Sequence, residues 1–393
     1  MFDKTLLING GSHADISLIE AAKKQGFYVI TIGSRESDLG HKYSDEYHNI
    51  DYCDDEAICE LIKKRQIDFI CPSCNDFAFI ATAKAAHRLN LPGNYDEMDA
   101  IYTLHYKDKY REFALKHNIS SPKAMGFDEE EAALAEIKNW HFPLISKPAD
   151  FCGGRGIAKI NNFNEAREAI NFTLSNSRIK KCVIEEFVEG SNHGFSAILQ
   201  NQKIVFYFVD NEYYYKNPFR VSGASCPSDV PPDAVKKIIF ESEKIANLLN
   251  LKDGIFHVQF ILHNNDPIII EITRRPPGDL YIKLVEYTTN VNYSDYLLRF
   301  YTGQNVPDLK QVEPIACILR HCIMSDKNGR IKNVAYDSAI KSKIIDQLIL
   351  GEIGDNIDDM MTYKYGIAFL KFDSAKELNL AASNMQELIK IET

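Results

Sequence analysis

An excess of positive charge and any long hydrophobic run are both missing from this 393-residue chain. Its 45 Lys and Arg face 55 Asp and Glu, a formal net charge of −10. Nucleic acids are held by a basic field that displaces their counterions, so they are excluded as the main partner; a local basic pocket for a nucleotide is not. The longest apolar runs, such as PIIIEI at 267–272, have the length of a strand. No membrane partner is therefore expected, and Met1 to Asn9 leads straight into a strand without the basic and apolar leader of a secretory signal. Nor is there a disulfide framework: nine cysteines, an odd number, are scattered along the chain and argue for free thiols in a reducing cytoplasm. CPSC (71–74) has the spacing of half a zinc site. A second half is not matched by Cys317 and Cys322 in their apolar run, so loop cysteines after a buried strand are the plainer reading.

Two glycine signatures are absent as well. No GK[ST] follows a glycine cluster, which excludes a Walker loop, and there is no G-x-G-x-x-G. What is present is a globular composition, 45% hydrophobic and 11% aromatic, with room for two or three domains and for no long disordered stretch. TLLIN (5–9) is stopped by Gly10-Gly11, ADISLIEAAKKQG (14–26) spaces its apolar residues as a helix does, and YVITIG (28–33) is a second buried strand. IDFICPS (67–73) and FAFIATAKAAHRLN (77–90) repeat the pattern. Such units predict a parallel sheet with right-handed crossovers. The double glycine after the first strand lacks the third glycine of a dinucleotide site and reads as a structural turn.

The chain is organised around PLISKPADFCGGRGIAKI (143–160). A residue before proline is pushed towards extended geometry, so Lys147 is expected at a strand end with its ammonium held in one direction. Gly153, Gly154 and Gly156 have no Cβ, which lets successive N–H groups form a concavity for phosphate; a plain hairpin with an arginine-bearing tip is the alternative. Over a hundred residues later comes HVQFILHNNDPIIIEITRRPPGD (257–279). If its two strands form a hairpin, Gln259 and Glu271 lie side by side and point at one ion. Between the two stretches, CVIEEFVEG (182–190) offers a strand edge whose backbone suits adenine, and the tyrosine run YYY (213–215) reads as packing.

In this order and spacing the stretches resemble the ATP-grasp superfamily, in which a lysine-ended strand and a glycine-rich flap cover a triphosphate above a metal-binding strand pair. The resemblance implies a mixed α/β and α+β chain: a doubly wound parallel N-terminal domain (1–106), an ATP-grasp fold (107–308) with its flap at about 143–188 and its metal and substrate half at about 189–308, and a small α+β module with one terminal helix (309–393). It implies ATP and Mg2+ as cofactors, with Mn2+ as an alternative ion.

The site residues follow from the same resemblance. Lys109, in DKYREFA, and Lys147 reach the phosphates under Gly153, Gly154 and Gly156. Glu186 and Val188 offer backbone to adenine, with Glu185 and Phe187 beside them, and His193 lies near the ribose and phosphates. Gln259, Glu271 and Thr273 face the metal, but here the chain departs from the family: a glutamate is usual at Gln259 and an asparagine is common at Thr273. A glutamine carbonyl coordinates without charge, so one ion is held weakly or a second is missing. Arg275 stabilises the transferring phosphoryl group or clamps a carboxylate with its planar fork. Arg220, Gly223 and Gly278 face substrate, Gly10, Gly11, Ser12 and Asp76 are acceptor-side candidates, and Arg274 belongs to the surface or the fold.

The activity implied is that of a carboxylate-amine ligase of the amino-acid or peptide type, which makes an acyl phosphate and then an amide with release of ADP and phosphate. Its partners are a small carboxylate and an amine, with a homodimer as the assembly to test. No biotin attachment segment is present. A carboxylation or purine-pathway ligase stays open, as does a nucleotide-binding protein without turnover.

Overall fold

The computed structural model describes residues 4–151 and 153–393. Strands β1 (Thr5–Asn9), β2 (Tyr28–Ile32), β3 (Glu46–His48) and β4 (Phe69–Pro72) form a parallel sheet in the order β3-β2-β1-β4. Leu6, Leu7, Ile8, Val29, Ile30 and Ile70 are buried in it, as the near-continuous apolar strands of a sheet covered on both faces must be. Helix α1 (Ile16–Lys24) connects β1 to β2 and α2 (Asp55–Arg65) connects β3 to β4, as the pattern predicts, and α3 (Asp76–Leu89) follows β4. At the start of α3 the Asn75 side chain accepts the N–H groups of Phe77 and Ala78, a cap that fixes Asp76 at the helix entrance.

Helices α4 (Met98–His105) and α5 (Lys107–Lys116) lead to a second, antiparallel sheet. It is built from β5 (Ala124–Phe127), β6 (Leu144–Pro148), β7 (Ala158–Ile160) and β8 (Cys182–Glu186), in the order β5-β8-β6-β7. The amphipathic helix Phe163–Asn176 closes its back through Ala166 and Ile170 against Leu144, Ile160 and Ile184.

The third sheet holds the rest together. Strands β9 (Ser191–Gln200), β10 (Lys203–Tyr214), β11 (Val221–Cys226), β12 (Gly254–His263), β13 (Asp266–Thr273) and β14 (Cys317–Ile323) join one eight-stranded antiparallel sheet. With β15 (Gly329–Arg330), β16 (Asn333–Tyr336), β17 (Ile344–Ile349), β18 (Asn356–Ile357) and β19 (Gly366–Phe372) numbered in turn, its order is β13-β12-β9-β10-β11-β14-β19-β17. The C-terminal strands thus extend the sheet that begins with the predicted hairpin. One face of the sheet buries Phe195, Phe256 and Val258 under the helix Pro232–Leu248 through Ile238 and Ile245. On the other face, Ile198, Phe206 and Ile255 share a continuous core with the first parallel sheet.

The single terminal helix expected from the sequence is instead two short helices, Ala375–Ala382 and Met385–Leu388, followed by β20 (Ile389–Glu392) paired with β16. Ile389 and Ile391 are buried and Lys390 and Glu392 exposed, the period-two pattern of a strand packed on one face. No helix among the described residues is long and apolar enough to cross a membrane.

Candidate active site

A cavity of about 860 Å³ opens between the second sheet and the eight-stranded sheet. Lys147 on β6 and Glu185 on β8 line one wall, Glu212 on β10 and Gln259 and Glu271 on the hairpin line the other, and Arg320 and Lys364 close the far end.

The cationic end is assembled from three elements. Lys147 donates to Glu185 Oε2 at 2.8 Å, and Arg111 binds the other oxygen of Glu185 at 2.9–3.0 Å. Burial, with Arg111 and Lys107 nearby, presses the Lys147 ammonium below its ordinary pKa while Glu185 opposes. Burial likewise tends to raise Glu185, but Arg111 and Lys147 outweigh it and hold the carboxyl low. The second lysine of the cavity is Lys107, at the first position of α5, which donates to the Phe151 carbonyl at 2.7 Å and to Glu271 at 3.2 Å. This corrects the expectation for Lys109. Two residues further on, about 200° around the helix, Lys109 is exposed with its ammonium 5.2 Å from the Tyr102 ring centre.

Gly153, Gly154 and Gly156 all have left-handed φ, +71°, +72° and +70°. At Gly154 a Cβ would come within 2.3 Å of the Phe219 carbonyl oxygen, so the loop rests on the β10–β11 turn in a way that only glycine permits. A concavity of this kind fits phosphate. Residues 153–157 are expected to become protected when nucleotide binds: tryptic cleavage at Arg155 slows by about tenfold at a ligand concentration ten times Kd, as opening is suppressed. Equal cleavage with and without ATP counts against a flap.

The side of the cavity where the sequence reading expects adenine is apolar, with Ile145, Phe187, Val188, Ile261 and Ile270 around it. The Glu186 N–H, expected at adenine, is given to the Lys123 carbonyl at 3.0 Å, although the residue does line the cavity. His193 is a second correction. By strand parity it shares the face of Phe195, stacks on Phe260 at 5.4 Å and bonds Ser191 at 2.7 Å, while Asn192 lines the cavity in its place. Its pKa is lowered by burial.

On the metal side the hairpin has the expected register, Gln259 opposite Glu271. Both line the cavity with Thr273, whose hydroxyl donates to the Arg275 carbonyl at 3.2 Å. The Gln259 amide is engaged with Glu212, which the sequence reading did not single out, at 2.8 and 3.0 Å. Glu212 also accepts from Tyr214 at 2.9 Å. Two residues back on the same strand, the buried Asp210 accepts from Tyr281 at 2.7 Å. Burial raises both carboxyls, Asp210 further through the Glu212 charge, while the Gln259 and Tyr214 hydrogen bonds pull Glu212 part of the way back. Among the described residues no three His, Cys, Asp or Glu side chains converge to hold an ion unaided. The oxygen donors on this wall, Glu271 and Glu212, fit magnesium, which takes one or two carboxylates and completes its octahedron with phosphate oxygens and water. In CPSC, the Cys74 N–H donates to Asp15 at 2.8 Å.

At the far end, Arg275 is locked to Asp76 by two bonds of 2.9 and 2.8 Å, and His105 adds a third to Asp76 at 3.0 Å. Arg274 is buried with Asp96 and carbonyls of its own unit, so it belongs to the fold. Arg220 and Gly278 line the cavity. Gly223 is another correction: it pairs within the sheet between Tyr213 and His321, on the face away from the cavity. Gly10, Gly11 and Ser12 also stay outside, Ser12 capping a turn through Asp15 and Gly11 lying against the His41 ring. Lys364 and Arg320, both missed from the sequence, converge on Asp279, which His13 reaches at 3.4 Å.

The Asp76 link carries a prediction. Burial would raise this carboxyl, but Arg275 and His105 hold it well below the usual range. A depressed folded pKa stabilises at pH values above the unfolded value of about 3.9, and that share is lost as pH falls through the folded value. Asp76→Asn removes the carboxylate from a buried ion pair, an expected loss of about 3–5 kcal/mol at neutral pH that shrinks in acid. Urea melts of both proteins at neutral pH and below about pH 4 read this out; coincident midpoints at neutral pH would sink it.

Residues 106–279 match the ATP-grasp domain family. The chain is 26% identical over 360 residues to a formate-dependent phosphoribosylglycinamide formyltransferase of Prochlorococcus marinus subsp. pastoris, covering 89% of this chain and 88% of that one. Among solved structures it superposes on an L-amino acid ligase from Bacillus licheniformis with a TM-score of 0.82 at 17% identity, covering 100% and 99% of the two chains. A phosphoribosylglycinamide synthetase from Anaerococcus prevotii follows with a TM-score of 0.77 at 22% identity, covering 99% of each. With the lysine-ended strand, the glycine loop and the Gln259–Glu271 hairpin at one cavity, residues 106–279 of this chain form an ATP-grasp domain.

Proposed function

We propose that the protein joins a small carboxylate to the amine of a second small molecule, with ATP converted to ADP and phosphate. The observation that carries this is one continuous cavity, with Lys107, Lys147 and the glycine flap at one end, Glu271 and Glu212 at its middle, and Arg275, Arg320 and Lys364 at the other. A carboxylate is a poor electrophile, so its oxygen must first be made a leaving group. In the reading supported here a carboxylate oxygen attacks the γ-phosphorus and ADP departs; the amine nitrogen then adds to the carbonyl carbon, and phosphate leaves with that oxygen. Lys107 and Lys147 neutralise the phosphate charge, and the Asp76-held Arg275 places a fixed guanidinium where carboxylate and phosphoryl meet. Magnesium would be held from Glu271 and would supply charge neutralisation at the phosphates. Manganese fits the same oxygen donors.

The relatives' name favours one pair of substrates for the first trial, formate with phosphoribosylglycinamide. Against it stand amino-acid pairs, the trial that the amino acid ligase fold suggests. ADP release is to be screened with pooled carboxylates and amines that include both sets. A pair that raises ADP release well above ATP alone is expected. Background release with every pair, beside tight ATP binding, would instead mark a nucleotide-binding protein without turnover. A reducing cytoplasmic setting fits the free thiols of the described cysteines, and sedimentation would test a homodimer.

A further inference from the structure

Gln259 on the hairpin brings no charge to an ion, and the structure shows what its amide faces. Glu271, Gln259, Gly194 and Asp210 form a cross-strand row over β13, β12, β9 and β10. Gly194 makes room in the row for the Asp210 carboxylate: a Cβ there would come within 2.3 Å of Asp210 Oδ1. Two residues further along β10 stands Glu212, and the Gln259 amide nitrogen lies 2.8 and 3.0 Å from its two oxygens. Reversing that amide would set its carbonyl oxygen against a carboxylate, so the NH2 side faces Glu212. Gln259 is thereby committed as a donor. Asp210 is wholly buried, and its Oδ2 has no partner among the described residues. The Arg320 guanidinium acts on Asp210 and Glu212 alike, and Glu212 is the one of the two that lines the cavity.

We infer that Glu212 supplies the second metal-facing carboxylate of the site, so that the divalent cation of the nucleotide is held between Glu271 and Glu212, with Gln259 positioning Glu212. The inference rests on the ligase reading above. Both carboxylates line the same cavity, and two carboxylates with nucleotide phosphates make an ordinary magnesium set. Gln259 and Glu212 are a matched pair, because glutamate at both positions would bring two carboxylates into contact.

The test uses the full chain, with Mn2+ as probe and ADP present, and reads free Mn2+ by electron paramagnetic resonance. Glu212→Gln keeps the shape and is expected to raise the Mn2+ Kd by at least about tenfold, since even partners outside the ligand shell change metal affinity by that much. ADP affinity without metal stays within about twofold. The swap Glu212→Gln with Gln259→Glu moves the carboxylate to the hairpin and is expected to recover most of the Mn2+ affinity, which a merely structural role for Glu212 would not produce. If Glu212→Gln binds Mn2+ as the native protein does while Glu271→Gln does not, the inference is overturned and the ligase reading stands. If neither substitution changes Mn2+ binding, the hairpin is not the metal site and both fall.

Discussion

Glu271→Gln is expected to reduce ADP formation by roughly a thousandfold or more with little change in the melting temperature, because the lost charge neutralisation amounts to several kcal/mol in the transition state. Glu271 lies on β13 opposite Gln259, and it lines the cavity while also taking the Lys107 ammonium at 3.2 Å. The amide replacement keeps the shape of the side chain and removes both functions at once: the anionic oxygen for the cation, and the counter-charge that aims Lys107. Glu212 remains in the cavity, so some metal binding survives, but the ion is no longer fixed beside the lysines. Steady-state ADP formation with the best substrate pair, beside a thermal melt, reads this out. A variant that turns over within about tenfold of the native protein would remove Glu271 from the chemistry.

The second large effect is at Lys147. Lys147→Met fills the same space without the cation and is expected to weaken ATP binding by about 1.5–3 kcal/mol, the size of a charge-assisted hydrogen bond. The fold tolerates the change because Glu185 keeps both bonds from Arg111, at 3.0 and 2.9 Å, and is not left as an unpaired buried charge. Calorimetric titration with ATP separates the outcomes. Unchanged affinity in a protein that melts like the native one would place the triphosphate elsewhere.

The parts legible in the sequence were those fixed by local rules. Lys147 ends a strand because proline follows it, and the Gln259–Glu271 register follows from a short turn between two alternating apolar runs. The parallel first sheet was readable for the same reason, as apolar runs broken by helical patterns. The rest depended on faces and on distant neighbours. Lys107 and Lys109 are both plausible on a charged helix, and only packing against Glu271 and Phe151 shows which enters the cavity. His193 and Asn192 differ by one residue, hence by one face of a strand. Glu212 lies beside a tyrosine run that reads as packing, and its meeting with Gln259 needs the sheet order β12-β9-β10, which no local signal contains. Its one clue was Asp210 at i−2, the spacing that puts two carboxylates on one side of a strand. Lys364 and Arg320 reach the cavity because the C-terminal strands extend the central sheet, a long-range pairing that sequence periodicity does not reveal.

Oxygen transfer from the carboxylate to phosphate tests the central claim most directly. With the active acid labelled by 18O in its carboxyl group, each turnover through an acyl phosphate moves one labelled oxygen into inorganic phosphate, which 31P NMR resolves from unlabelled phosphate. The account predicts phosphate that carries a single 18O in step with amide formed. Unlabelled phosphate, released at the same rate with the label retained in the acid or the product, would contradict it and leave the cavity as a site of ATP hydrolysis.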